Sequence, residues 1–276
     1  MKNILIPTDF SDLSKQVIQV AARVAALEGG RIHLLHTIHT PMLLDESGLA
    51  YIQPSFAAAE NKMKAFVKEL HLDVSPILQV EMDPIHIAVE AYVRDNVIDL
   101  VMMPSHGATG LKEWLLGSHA ERVVRNSPVP VMVVKQPLAY YPPKHLAFAS
   151  TFEPAERLSV KPLKELQKIS GAHIHLVWVL KEEKNKPSEE EMLMRMSEFA
   201  YSNQLFEADY HIIYANDITE GLLKFSQSYY VDLIVIGTHK RNTVSHFFHH
   251  SIAEEVVNHL PQNVLTFHIE TEEVFL

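Results

Sequence analysis

This sequence is written twice. Laid over residues 143–269, residues 1–135 fall into register: Lys2-Asn-Ile-Leu-Ile-Pro-Thr-Asp9-Phe10 over Lys144-His-Leu-Ala-Phe-Ala-Ser-Thr151-Phe152, and Gly29 with Ile32-His33-Leu34 over Gly171 with Ile174-His175-Leu176. Further on, Asp99-Leu-Val-Met-Met-Pro104-Ser-His-Gly107 lies over Asp232-Leu-Ile-Val-Ile-Gly237-Thr-His-Lys240, and Ser118, Pro128 and Val131 lie over Ser251, Pro261 and Val264. A period this long repeats whole domains rather than the small units of a solenoid. The 276 residues match the length of about two domains, and two are expected, 1–137 and 143–276. Between them Gln136-Pro-Leu-Ala-Tyr-Tyr-Pro-Pro143 is short, Pro-rich and semi-rigid, so the domains are expected to touch.

Charge and composition narrow the partners. A net charge of −10 repels nucleic acid and anionic membranes at long range, although backbone N–H groups can still build a local anion site. Neither nucleic acid nor membrane is expected as a partner, since no apolar run approaches the length of a span. Cysteine is absent, which removes disulfides, thiolate metal sites and cysteine nucleophiles together. Met1-Lys-Asn-Ile-Leu-Ile-Pro enters a strand directly, without a signal-like apolar region, and the expectation is a cytoplasmic protein.

Within the first copy, residues 3–8, 31–38, 99–103 and 129–134 read as strands with little alternation, as in sheets covered on both faces. A helix follows the first strand. Ser11 is its candidate N-cap, Leu13, Val17, Val20, Val24 and Leu27 form its apolar stripe, and Gly29 stops it. A second helix reads through Phe56, Met63, Phe66, Val67 and Leu70, with a weaker strand near 74–80 after it. A third starts at Asp83-Pro84, read as N-cap and first helical residue, and a fourth near Ser118. The second copy repeats helices over 154–170, 189–203 and 219–228 and strands over 172–180, 210–214 and 232–237. Strands alternating with helices predict an α/β fold with a largely parallel sheet.

In such a sheet, ligands bind beyond the carboxyl ends of the strands, where strand order reverses. If the first and fourth strands are neighbours there, Pro7-Thr8-Asp9 and Met103-Pro104-Ser-His-Gly107 emerge side by side. Gly107 and Gly117 allow close backbone approach to an anion, and Ser118 offers a hydroxyl and free N–H groups at a helix start. Asp9, a carboxylate, suits ribose hydroxyls or a base amino group rather than phosphate. A purely structural reading stands beside this one: Asp9 and Ser11 cap the first helix, and Gly107 and Gly110 are turn glycines.

Ile-Leu-Ile-Pro-Thr-Asp-Phe-Ser at 4–11, His36-Thr37-Ile38, Ser105-His-Gly107 with Gly117-Ser118 ten residues on, and Pro128-Val-Pro-Val-Met-Val-Val134 together resemble the universal stress protein family in its tandem form. The resemblance implies two five-stranded parallel-sheet domains of the adenine nucleotide α-hydrolase-like type, strand order 3-2-1-4-5, paired through their last strands, with homodimers a further expectation. It also implies, for the nucleotide-binding branch, ATP or another adenine nucleotide, with Mg2+ if bound, held by a Gly-x2-Gly-x9-Gly-Ser/Thr pattern. Carried over, Asp9 matches the ribose and base aspartate, Pro7 and Thr8 its strand-end neighbours, Thr37 and Met103 the adenine wall, and Gly107, Gly117, Ser118 and His119 the phosphate loop. Pro104 stands where the first glycine belongs; proline lacks the N–H and fixes φ near −65°, which weakens such a site. No uniform catalysis comes with the family. The chain itself has no Walker or dinucleotide glycine motif, so at most slow ATP hydrolysis near His106 is expected and no catalytic residue is assigned.

The second copy keeps Gly237 but has Lys240 and His250 over Gly107 and Gly117, and Thr151 over Asp9. It reads as a degenerate domain, kept for packing or for another ligand. The seventeen histidines include His239, His246, His249 and His250 in its loop; Phe247-Phe248 argue for packing there, and no metal site is expected. His33, His36, His173 and His175 are expected to be hydrogen-bonded structural residues. A nucleotide-independent stress protein acting through protein contacts, or through another small ligand in the second domain, is the alternative to nucleotide binding.

The last strands of the copies, 129–134 and 263–269, are apolar edges, an aggregation hazard if left open. Pairing them within one chain predicts that the halves, expressed separately, self-associate or aggregate in sedimentation experiments, whereas two well-behaved monomers would contradict the pairing.

Overall fold

Apolar runs without alternation form the middle of two parallel sheets. The computed structural model describes residues 1–38, 46–105, 118–136, 142–152, 160–181, 186–205, 207–239 and 252–269. The first half runs β1 (Asn3–Pro7), α1 (Asp12–Glu28), β2 (Arg31–Thr37), α2 (Glu46–Leu70), β3 (Ile77–Glu81), α3 (Ile85–Asp95), β4 (Leu100–Pro104), α4 (Ser118–Asn126) and β5 (Val131–Val134). The second runs β6 (His145–Ala149), α5 (Lys161–Ser170), β7 (His173–Leu180), α6 (Glu189–Ser202), β8 (Ala208–Tyr214), α7 (Ile218–Tyr229), β9 (Leu233–His239), α8 (Ile252–His259) and β10 (Asn263–Ile269). The chain divides into two compact units, Met1–Leu138 and Ala139–Leu276. In the first, all-parallel neighbours follow the order β3-β2-β1-β4-β5, and in the second β8-β7-β6-β9-β10. Each is the 3-2-1-4-5 arrangement. Every residue of β4 and β5 is buried, whereas only Val80 is buried in the edge strand β3. No described helix is long and apolar enough to cross a membrane.

Local chemistry sets the element ends. The Ser11 side chain accepts from the Ser14 N–H at 3.1 Å and opens α1, and Gly29, at φ 64°, closes it in the left-handed region that glycine adopts without a Cβ penalty. The next residue, Gly30, is required for a different reason. A Cβ there would stand 1.9 Å from the Lys2 carbonyl oxygen, and the close approach lets Arg31 N–H donate to that oxygen at 3.1 Å as β2 begins beside β1.

A carboxylate ties down the first strand of each sheet. Asp99 Oδ2, just before β4, accepts from the backbone N–H groups of Lys2 and Asn3 at 2.7 and 2.9 Å. Asp232 Oδ2, just before β9, does the same for Lys144 and His145 at 2.8 and 2.9 Å. The aspartate retained in both copies is therefore a structural clamp between the central strand and its neighbour.

Several expected boundaries move, each for a local reason. Helix α3 starts at Ile85 with Pro84 as its capping residue, not Asp83; the Pro84 carbonyl accepts from Ala88 N–H at 3.0 Å, and no side chain caps the helix. Strand β3 begins at Ile77, after Pro76, which cannot donate to a ladder. Helix α2 extends back to Glu46 through an internal Pro54, a residue that sequence reading treats as a break. Helix α5 begins at Lys161; of the expected helix over 154–170, residues 154–159 lie outside the described residues.

Removing the Asp232 carboxylate leaves two strand-end N–H groups without their acceptor. Asp232→Ala is expected to lower stability by about 1–3 kcal/mol, read as a shifted denaturation midpoint with an unchanged denaturant slope.

Candidate functional site

The turn leaving the central strand is built alike in both copies. Thr8 N–H donates to the Leu35 carbonyl at 2.9 Å, and Thr8 Oγ1 accepts from Phe10 N–H at 3.2 Å; Ser150 Oγ accepts from Phe152 N–H at 2.8 Å. The chain then passes through the left-handed region at Phe10 (φ 66°) and Phe152 (φ 52°). For a non-glycine residue this costs about 1–2 kcal/mol, offset by packing. The Phe10 ring lies 4.4 Å from that of His36 and 5.1 Å from that of Phe66, with Lys62 Nζ 4.4 Å from its centre. Phe152 packs on Phe148, Trp178 and Phe199. Thr8 thus shapes the turn that presents Asp9.

Asp9 is part of the start of α1. Its Oδ1 accepts from Ser11 N–H at 3.0 Å and from Ser14 Oγ–H at 2.7 Å. The structural reading of this residue accordingly holds for Oδ1, which helps to open α1. His36, at the end of β2, donates from Nδ1 to the Thr8 carbonyl at 2.8 Å, since a carbonyl only accepts. Its pKa lies below the ordinary histidine value, first because of burial and also through Lys62, against the Thr8 hydrogen bond and Asp9. The ring is therefore neutral near pH 7, with an Nε2 lone pair.

These residues converge on a cavity of about 240 Å³ at the carboxyl ends of β1, β2 and β4, whose lining includes Pro7, Thr8, Asp9, Thr37, Met103 and His119. Among the expected site residues, Ser118 opens α4, with its side chain outside the described set, and Gly107 and Gly117 lie outside it altogether. Pro104, Ser105, His36 and Ile85 line the cavity as well. His36 stood next to Thr37 in the sequence but was assigned only a structural role, while Ile85 gave no chemical signal. The volume, about 240 Å³, is below the roughly 300–1,000 Å³ of small-molecule pockets.

The second domain has its own cavity of about 480 Å³ at the carboxyl end of β7, lined in part by Trp178, Val179, Asp217, Ile218 and Glu255. Trp178 and Val179 take the places of His36 and Thr37, and Ile218 that of Ile85. Thr151, in the place of Asp9, brings no carboxylate. The loop histidines His246, His249 and His250, with Lys240, lie outside the described residues, as does the His239 side chain.

The sequence profile of the universal stress protein family matches residues 1–135 and 155–268. Universal stress protein MJ0577 of Methanocaldococcus jannaschii is 33% identical over 156 residues, covering 49% of this chain and 95% of that protein. Universal stress protein MJ0531 of the same organism is 29% identical over 143 residues, covering 49% of this chain and 83% of its own length. Among solved structures, a universal stress protein from Archaeoglobus fulgidus superposes with a TM-score of 0.71 at 19% identity, over 98% of this chain and 99% of that one; this likeness concerns the fold.

Because the folded His36 pKa is depressed, the unfolded chain binds more protons just below the ordinary histidine value of about 6.5, and this residue's contribution to stability falls as pH drops through that window. NMR titration of the His36 ring is expected to give a midpoint below 6.5; a higher midpoint would contradict the burial and the Lys62 contact.

Proposed function

Since the chain belongs to the universal stress protein family, matched in both of its halves, we propose that it is a stress-response binding protein or regulator that takes one adenine nucleotide, in its first domain only. The observation that carries this reading is the cavity in which Asp9, Thr37, Met103 and His119 meet. There the Asp9 carboxylate accepts from a ribose hydroxyl, Thr37 and Met103 flank the base, and the phosphates, with Mg2+, extend toward Gly107, Gly117, Ser118 and the start of α4. A helix N-terminus favours that placement because its free N–H groups carry partial positive charge.

The reading also fixes what is missing. Pro104 offers no N–H to the ligand and forbids a positive φ, so binding is weaker than an intact glycine pattern allows. The residues present serve binding, and no nucleophile with an orienting base is assigned. The tryptophan-bearing cavity of the second domain favours a second reading, a different small ligand there.

Calorimetry with ATP on the wild type and four variants tests the proposal. Losing a hydrogen bond to a charged group, about 1.5–3 kcal/mol, means that Asp9→Ala weakens binding about 10- to 100-fold. Gly117→Val, which places a branched Cβ where phosphate must approach, abolishes it. Thr151→Ala and His250→Val leave it unchanged. Two sites per chain, or equal losses from Asp9→Ala and Thr151→Ala, would refute the asymmetry, and a wild type that binds no ATP would refute the nucleotide reading.

A further inference from the structure

The opposite end of the second sheet carries a cluster that the first sheet lacks. His145 begins β6, His173 and His175 stand two apart on β7, and Asp209 and His211 stand two apart on β8. Register sets His145 beside His173 and His175 beside Asp209. Side chains two apart on a strand share a face, so the five groups meet on one face, against Phe225 and Tyr229 of α7. His173 Nε2 lies 2.9 Å and His175 Nδ1 4.0 Å from Asp209 Oδ2, and His175 Nδ1 lies 3.1 Å from His211 Nε2. His175 Nε2 in turn faces His145 Nδ1 at 3.3 Å.

The first copy shows that the fold does not need this arrangement. At the matching positions it has Asn3, Arg31, His33, Ile77 and Gln79. Its single histidine there, His33, is satisfied by the Tyr92 hydroxyl at 2.8 Å. The second copy replaces that tyrosine with Phe225, which has no hydroxyl, and surrounds His175 with three more imidazoles and a carboxylate. Packing alone gives no reason to crowd like groups together.

We propose that His173, His175, Asp209 and His211 form a Zn2+ site in the second domain. The candidate ligand atoms of His173, His175 and Asp209 all lie within 4.8 Å of one another. The contacts of 2.9, 3.1 and 4.0 Å bracket the ligand-to-ligand edge of about 3.3 Å in a tetrahedron with bonds near 2.0–2.1 Å. Imidazole and carboxylate together suit zinc and other borderline divalent ions. His145 acts at one remove: by accepting from His175 Nε2–H it leaves Nδ1 as the donor atom toward the metal, an orienting contact common to ligating histidines. Access is open on one side, because the Asp209 and His173 side chains are 60% and 34% exposed while His175 is 5% exposed. The site is at the amino ends of the strands, away from the cavity at the carboxyl end of β7 in the same domain.

Tag-free, chelator-treated full-length protein, free of nucleotide, is titrated with Zn2+ by calorimetry and with Co2+ by visible absorption. The expected result is one equivalent of metal per chain and the intense visible bands of tetrahedral Co2+. Asp209→Asn and His173→Ala, both on exposed side chains, weaken Zn2+ binding more than about 10-fold and remove those bands. His145→Ala weakens binding by about 10- to 100-fold and keeps the tetrahedral spectrum, while His33→Ala and His246→Ala change neither. Circular dichroism checks folding; if a histidine variant does not fold, the near-isosteric Asp209→Asn decides. Absence of stoichiometric binding, or binding that survives Asp209→Asn and His173→Ala, would overturn the proposal in favour of a hydrogen-bonded histidine cluster.

Discussion

Everything in each domain depends on how the central strand is held at its start. A single carboxylate, Asp99 or Asp232, accepts two successive backbone N–H groups of the first strand from the entrance of its neighbour. That contact sets the parallel register, with Ile4 beside Leu100 and Leu5 beside Val101. Continued along the strands, the same register brings Pro7 level with Met103, so that Thr8-Asp9 and Pro104-Ser105 leave the sheet together. The cavity at the far end is a consequence of a hydrogen bond at the near end.

The duplication works as an internal control, because one frame is used in two ways. Both copies keep the hydroxyl-stabilised turn and a phenylalanine in the left-handed region. This retained strain belongs to the frame. Beyond it the copies diverge at both ends of the sheet. The first has Asp9 in its cavity and one histidine paired with a tyrosine at the opposite end; the second has Trp178 in its cavity and a knot of imidazoles at the opposite end. Positions that differ between two versions of one fold are free of the fold's demands.

The sequence by itself determined the architecture. Non-alternating apolar strands, the Ser11 cap, the Gly29 stop and the repeat lead to two five-stranded parallel sheets, and the strand-end residues of the first cavity were legible because a parallel sheet brings ligands to its carboxyl ends. The element limits at Pro76 and Pro84 and the passage of α2 through Pro54 were not, since proline's effect depends on which neighbouring carbonyl or strand needs the missing N–H. Only the tertiary structure decided that Asp9 Oδ1 helps to cap α1, that His36 is a neutral cavity wall, and that His145, His173, His175, Asp209 and His211 meet. Those five residues come from three strands separated by helices, and their convergence rests on inter-strand register, a property of hydrogen bonds between distant segments that no local pattern encodes.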